Sequence, residues 1–302
     1  MTDLRTERIP LSTGVTLNAR HGGPEGAPAI LFLHGFPESH RTWRNQIDDL
    51  SRDFRVVAPD QRGFGGSDRP EGVENYETAR IVQDAMALMD ALGIDHFTLA
   101  GHDWGGAVAW TAALQHPKRV GRLIIVNAPH PLLFQKSLIE DEAQREASQY
   151  INFFRSEMAE AAIVAMGLEA FMEKVLLSHA DPTKLPAEER QHYLEDWRQP
   201  GALTSMLNWY RASALVVPKP GEDAKAPLWT HAPFPKLPMP TLVVWGLKDP
   251  ALLPVQLEGL ADQVQDLRIV TSPTASHFIP WEEPGTVTAA IRDFVAATAA
   301  RP

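Results

Sequence analysis

Gly101-His102-Asp103-Trp104-Gly105-Gly106 stands between an apolar run, HFTLA at 96–100, and a helix-forming run, AVAWTAALQH. A strand that turns sharply into a helix forces its central residue into strained backbone, and small neighbours two positions to either side, Gly101 and Gly105, avoid the clash. The central side chain is thereby exposed. Where such a turn carries a serine the chemistry is acyl transfer, but here it carries Asp103, a carboxylate that attacks carbon and forms an ester. Taken alone, the hexapeptide also suits a glycine-rich loop whose aspartate caps the following helix. The elements around it decide between the two.

Short, mostly apolar segments recur along the chain: VTLNAR at 15–20, AILFLH at 29–34, FRVVAP at 54–59, HFTLA at 96–100, GRLIIVN at 121–127, PTLVVW at 240–245 and LRIVT at 267–271. Each reads as a strand, and the nearly continuous apolar character of several fits parallel strands covered on both faces. Helical patterns lie between them. In 76–92 the residues Ile81, Ala85, Leu88, Met89 and Leu92 recur at three-and-four spacing until Gly93 stops the helix, and 284–297 closes the chain in the same way. This alternation predicts an α/β fold with a mainly parallel, doubly wound sheet. From 131 to 232 the strand signal gives way to helical stretches such as SQYINFFRSEMAEAAIVAM and SMLNWYRASAL. The expected division is a core of residues 1–130 and 233–302, interrupted by a helical cap over 131–232. Prolines 218, 220, 227, 233, 235, 238 and 240 suit a strap leading back to the sheet.

Composition narrows the function classes. The 302 residues are 44% hydrophobic and 22% charged, ordinary for a globular chain. No apolar run approaches the ~20 residues of a membrane-spanning helix. The start, MTDLRTERIP, carries charges where an export signal needs apolar residues, so a cytoplasmic location is the default expectation. A net charge of -10 disfavours nucleic acid as a partner. With no cysteine, disulfides, thiol catalysis and cysteine-ligated metals are all excluded. The pattern says nothing about oligomeric state.

Two further segments supply the partners that Asp103 needs. His34-Gly35-Phe36-Pro37 ends the strand at 29–34; beside a nucleophile turn it becomes the loop that offers one oxyanion-hole amide, from Phe36, with Trp104 giving the other. An ester on Asp103 must then be hydrolysed by an activated water, and His277, in SPTASHFIP after the last predicted strand, stands where a base is expected. One of 11 histidines, it is singled out by position. Asp249, in VVWGLKDPAL, directly follows a buried-type strand and suits the acid that orients the imidazole. The order nucleophile, acid, histidine is the one such folds use.

Together these segments resemble the epoxide hydrolases of the α/β-hydrolase superfamily over nearly the whole chain. His34-Gly35-Phe36-Pro37 resembles their oxyanion motif, and Gly101-His102-Asp103-Trp104-Gly105-Gly106 their nucleophile motif. Ser148-Gln149-Tyr150-Ile151-Asn152-Phe153-Phe154 and Leu207-Asn208-Trp209-Tyr210-Arg211 resemble their two cap helices, each of which offers a tyrosine to the epoxide oxygen. The resemblance therefore implies Tyr150 and Tyr210 as an acid pair, Phe36 and Trp104 as pocket wall, a small apolar epoxide and water as reactants, and no cofactor or metal. Of the four tyrosines, these two also suit simple packing beside Phe153, Phe154 and Trp209. The alternatives are haloalkane or haloacetate dehalogenases, which share the aspartate nucleophile, and a non-catalytic receptor on the same fold. Haloalkane dehalogenases usually carry Asn after His-Gly, where Phe36 stands, and haloacetate dehalogenases Arg after the nucleophile, where Trp104 stands.

Overall fold

A computed structural model describes residues 4–231 and 234–298. Eight strands form one sheet in the order β1-β2-β4-β3-β5-β6-β7-β8: β1 Arg5–Pro10, β2 Thr16–Gly22, β3 Ala29–Leu33, β4 Arg55–Pro59, β5 Phe97–His102, β6 Val120–Val126, β7 Leu237–Gly246 and β8 Val264–Ser272. β1 pairs antiparallel with β2 and β2 antiparallel with β4, and the remaining neighbours from β4 to β8 are parallel. The helices are α1 Arg44–Leu50, α2 Thr78–Ala91, α3 Trp104–Gln115, α4 Pro131–Glu140, α5 Glu142–Ala147, α6 Gln149–Arg155, α7 Ala159–Met166, α8 Leu168–Val175, α9 Ala187–Trp197, α10 Ala202–Arg211, α11 Leu260–Gln263, α12 Ile279–Glu282 and α13 Pro284–Ala297. None of the helices among the described residues is long and apolar enough to cross a membrane.

Alternation along the strands builds two cores. Ile30 and Phe32 of β3 and Val244 of β7 pack on one face with Ile47 of α1 and Ile291 and Phe294 of α13. Leu31 and Leu33, Val243 and Trp245 point the other way and pack with Leu88 of α2 and Val108 of α3. All of these side chains are buried, each fully buried one contributing about 1.5–3 kcal/mol relative to exposure. This is why the central strands read as unbroken apolar runs: both faces are covered.

Four details differ from the sequence reading. β1, RTERIP, escaped it because the strand lies at an edge with only Ile9 buried. The helix expected from 76 begins at Thr78, since Tyr76 ends a separate short 3₁₀ turn, Val73–Tyr76. Pro238 and Pro240 lie inside β7 rather than in a strap; both fall where the pairing with β8 shifts register, the kind of position at which a residue without an N–H is tolerated in a sheet. Pro233, and with it the end of the expected cap at 232, lies outside the described residues. Between β6 and β7 no strand occurs among the described residues; the chain runs through α4 to α10 and several 3₁₀ turns. The stretch 148–166 is two helices, α6 and α7, broken at Ser156–Met158.

Register sets the site. Leu33 pairs with Gly101, His102 with Val126, Val126 with Val244, and Gly246 with Ser272. The strands therefore end level, and the loops after β3, β5, β6, β7 and β8 gather at one carboxyl edge, where open α/β sheets bind ligands.

Candidate active site

Asp103 is the residue between β5 and α3, with φ 51° and ψ −123°, the strained backbone expected of an exposed turn residue. The glycines around it permit the close approach. A Cβ on Gly101 would stand 2.6 Å from the Gly105 carbonyl carbon, and one on Gly105 would stand 2.5 Å from the His34 oxygen. The Asp103 carboxylate accepts a hydrogen bond from the Phe36 amide at Oδ1, 2.8 Å away. The Trp104 amide opens α3, where a helix has no acceptor of its own to offer.

His277 follows β8 and turns its ring toward that carboxylate, with Nε2 3.6 Å from Asp103 Oδ2. Its Nδ1–H donates to Asp249 Oδ2 at 2.6 Å. Asp249 is buried and surrounded by protein donors: the Ala251 and Leu252 amides each donate to Oδ1 at 2.9 Å, and Asn127 Nδ2 donates to Oδ2 at 2.8 Å. Burial alone would raise the Asp249 carboxyl and lower the His277 imidazole. The charges and hydrogen bonds between them win, so Asp249 lies below its ordinary value and His277 well above its own, the latter helped by Asp103. Asp103 is likewise held low against its own burial by His277, His102 and the Phe36 amide. His102, fully buried, is pushed down to about 4 by burial and by His277, so it stays neutral while its Nε2–H donates to the His277 carbonyl oxygen at 2.9 Å.

Tyr150 on α6 and Tyr210 on α10 stand with ring centroids 6.2 Å apart and planes at 85°. Tyr210 also meets Phe36 and Trp104 edge to face, at 4.9 and 5.2 Å. Burial, then the Asp103 charge, raises both phenols well above their ordinary value, so they remain protonated donors at neutral pH. Two cavities meet at this point. One, of about 180 Å3, is walled by Trp104, Phe134, Leu215 and Trp229; the other, of about 360 Å3, by Phe36, Phe154, Phe171 and His277. Asp103, Tyr150 and Tyr210 line both. The structure thus brings together all seven residues singled out from the sequence.

Sequence reasoning missed Asn127. It sits directly after β6 with φ 38°, a conformation Asn tolerates better than most residues, and its Oδ1 accepts the Gly246 amide at 2.8 Å while Nδ2 holds Asp249. An Asn following a buried strand, in IIVNAP, was the available signal. Glu38, next to the His34–Pro37 motif, was also missed: it is buried and accepts from Thr42, Tyr193 and Trp281. No group of three or more His, Cys, Asp and Glu side chains among the described residues is placed to hold a metal ion.

Residues 28–284 match the family model for the alpha/beta hydrolase fold. Epoxide hydrolase 3 of Xenopus tropicalis is 33% identical over 94% of this chain and 75% of its own length. Epoxide hydrolase A of Mycobacterium tuberculosis is 31% identical over 96% of this chain and 97% of its own. Among solved structures, an epoxide hydrolase of the α/β-hydrolase superfamily found in metagenomes from hot environments superposes with a TM-score of 0.91 at 46% identity, covering 97% of this chain and 99% of that one.

Proposed function

The chain belongs to the epoxide hydrolases of the α/β-hydrolase superfamily, and from that premise we propose that it hydrolyses a small, largely apolar epoxide to a vicinal diol in two steps centred on Asp103. In the first, a carboxylate oxygen of Asp103 attacks a ring carbon, the carbon–oxygen bond of the ring breaks, and the departing oxygen takes its proton from the pair Tyr150 and Tyr210. In the second, His277 removes a proton from water, whose oxygen attacks the ester carbonyl carbon. The negative charge that arrives on the former carboxylate oxygen is met by the Phe36 and Trp104 amides. Collapse breaks the bond from the carbonyl carbon to the ester oxygen, the former Asp103 oxygen now carried by the substrate. This oxygen leaves with the second proton of the attacking water as the diol, the His277 imidazolium returns its proton to the phenolate left by ring opening, and Asp103 is again a carboxylate. Asp249 holds the imidazole in the needed tautomer and stabilises imidazolium. Helices α4 to α10 serve as a cap that keeps bulk water from the reacting atoms.

The observation that carries this reading is the phenol pair that, together with Asp103, lines both of two largely apolar cavities. A carboxylate nucleophile alone suits several leaving groups, but two protonated phenols in a dry pocket suit one that departs as an oxygen anion. The test is a panel of aryl and alkyl epoxides scored for diol, beside short haloalkanes and fluoroacetate scored for halide. Diol without halide is expected. Halide release with no diol would replace this reading by the dehalogenase one, and tight ligand binding without turnover by a receptor.

A further inference from the structure

Helix α9 meets the loop after β3 along a single stripe. Glu189, Tyr193 and Trp197 are spaced by four and so lie on one face of the helix. Arg41 donates to the Glu189 carboxylate at 2.9 and 3.1 Å. The Tyr193 hydroxyl donates to Glu38 Oε1 at 2.8 Å, and the Trp197 Nε1–H donates to the Pro37 carbonyl oxygen at 2.7 Å. Pro37 and Glu38 directly follow Phe36, whose amide is the one on Asp103 Oδ1. Glu38 Oε1 also accepts from Trp281 Nε1 at 3.0 Å, and Oε2 from Thr42 at 2.8 Å, so one carboxylate joins α9, the loop after β3 and the helix after His277. Tyr193, Trp197 and Glu38 are all buried, where hydrogen bonds are held in geometry more firmly than in water.

We propose that Tyr193 and Trp197 are positioning residues through which α9 holds the loop after β3 so that the Phe36 amide stays on Asp103 Oδ1, making the seating of α9 a requirement for ester hydrolysis. The inference rests on the two-step reading above. Its consequence is asymmetric. During ring opening negative charge leaves the carboxylate for the ring oxygen, so the Phe36 hydrogen bond weakens and its loss costs little. During ester hydrolysis charge returns to Oδ1 as the water attacks, and the same amide must strengthen its bond. A loop released from α9 therefore slows the second step and spares the first.

Tyr193→Phe and Trp197→Phe keep the aromatic packing and remove one donor each. Mixing enzyme in excess with epoxide, quenching and weighing the intact protein follows the ester as it forms and decays. In both variants ester decay should slow about 10-fold or more, short of the full 100- to 1000-fold of a deleted oxyanion donor, while ester formation stays within about threefold. Glu189→Gln breaks the pair to Arg41, leaves both loop contacts, and should leave both rates unchanged. If Trp197→Phe does not fold, Tyr193→Phe, which loses a single oxygen atom, decides alone. Parent-like decay in Tyr193→Phe overturns the proposal. So does a variant in which formation slows as much as decay, because that reports a general loss of structure. A parent enzyme that forms no ester removes the two-step reading and this inference together, and is recognised before any variant is compared.

Discussion

Adding one methyl group at Gly35 should disable the site while leaving the fold. A Cβ built there stands 2.7 Å from the Asp103 Cγ and nearer still to its Cβ and Oδ1, whereas ordinary contact begins at 3.4 Å. Gly35 and the Asp103 side chain must therefore separate by about 0.7 Å at least, and neither can yield alone: Asp103 is pinned in a strained turn and Gly35 lies between His34 and Phe36. A shift of that size stretches the Phe36 N to Oδ1 bond from 2.8 Å to about 3.5 Å, past a useful hydrogen bond. Losing an oxyanion donor costs about 100- to 1000-fold and misplacing a nucleophile by ~1 Å about 100-fold, so Gly35→Ala should lower diol formation at least about 100-fold. Crowding of this kind costs about 1–3 kcal/mol, a loss of a few degrees in melting temperature. Gly285→Ala, at a position with nothing within 4 Å of the added carbon, is the matched control and should retain parent activity. The assay is steady-state diol formation beside thermal melting. A folded Gly35→Ala protein turning over within about threefold of the parent would refute the assignment of this contact to the chemistry.

Replacing both Tyr150 and Tyr210 by Phe should almost abolish ester formation, and either alone should cost about 10- to 1000-fold, read by stopped single turnover; near-parent ring opening in a folded double variant returns both to packing. His277→Gln should still form the ester and then stall, leaving a mass adduct on the intact protein. Asn127→Ala should lose about 1.5–3 kcal/mol in urea unfolding, because it removes a hydrogen bond to the charged Asp249, and should slow ester hydrolysis more than ester formation. The pH dependence of ester hydrolysis has a defined sign. Asp249 and Asp103 hold His277 above its ordinary value in the free protein, and forming the ester removes the Asp103 charge. The rate of ester decay should therefore fall on the acid side as His277 protonates, with a midpoint below the free-protein value for that imidazole. Asp249→Asn, by removing the second negative charge, should move this acid limb to still lower pH, and movement to higher pH would contradict the assignment.

Much of the site was legible because strand ends are legible. Asp103, Asp249 and His277 each follow an apolar run closely, and a parallel sheet brings such ends to one edge whatever the length of chain between them. The two tyrosines were visible only through resemblance. Nothing in the spacing of Tyr150 and Tyr210 along their helices distinguishes a phenol facing Asp103 from one packed in a core; that depends on how α6 and α10 lie on the sheet. Asn127 and Glu38 stayed hidden for a related reason. Their work is done through hydrogen bonds to residues far along the chain, Asp249 at 122 positions and Tyr193 at 155, and no local pattern records such a partner. β1 was missed because an edge strand with one buried side chain carries almost no apolar signal.

The covalent role of Asp103 is tested most directly by one turnover in oxygen-18 water with enzyme in excess over epoxide. Mass spectrometry then compares the diol with the peptide that carries Asp103. If the carboxylate attacks the ring and water attacks the resulting ester, the first diol contains only unlabelled oxygen and the Asp103 carboxylate carries the label. Label in the first diol with none in Asp103 would mean that water opens the ring itself, and would contradict the account.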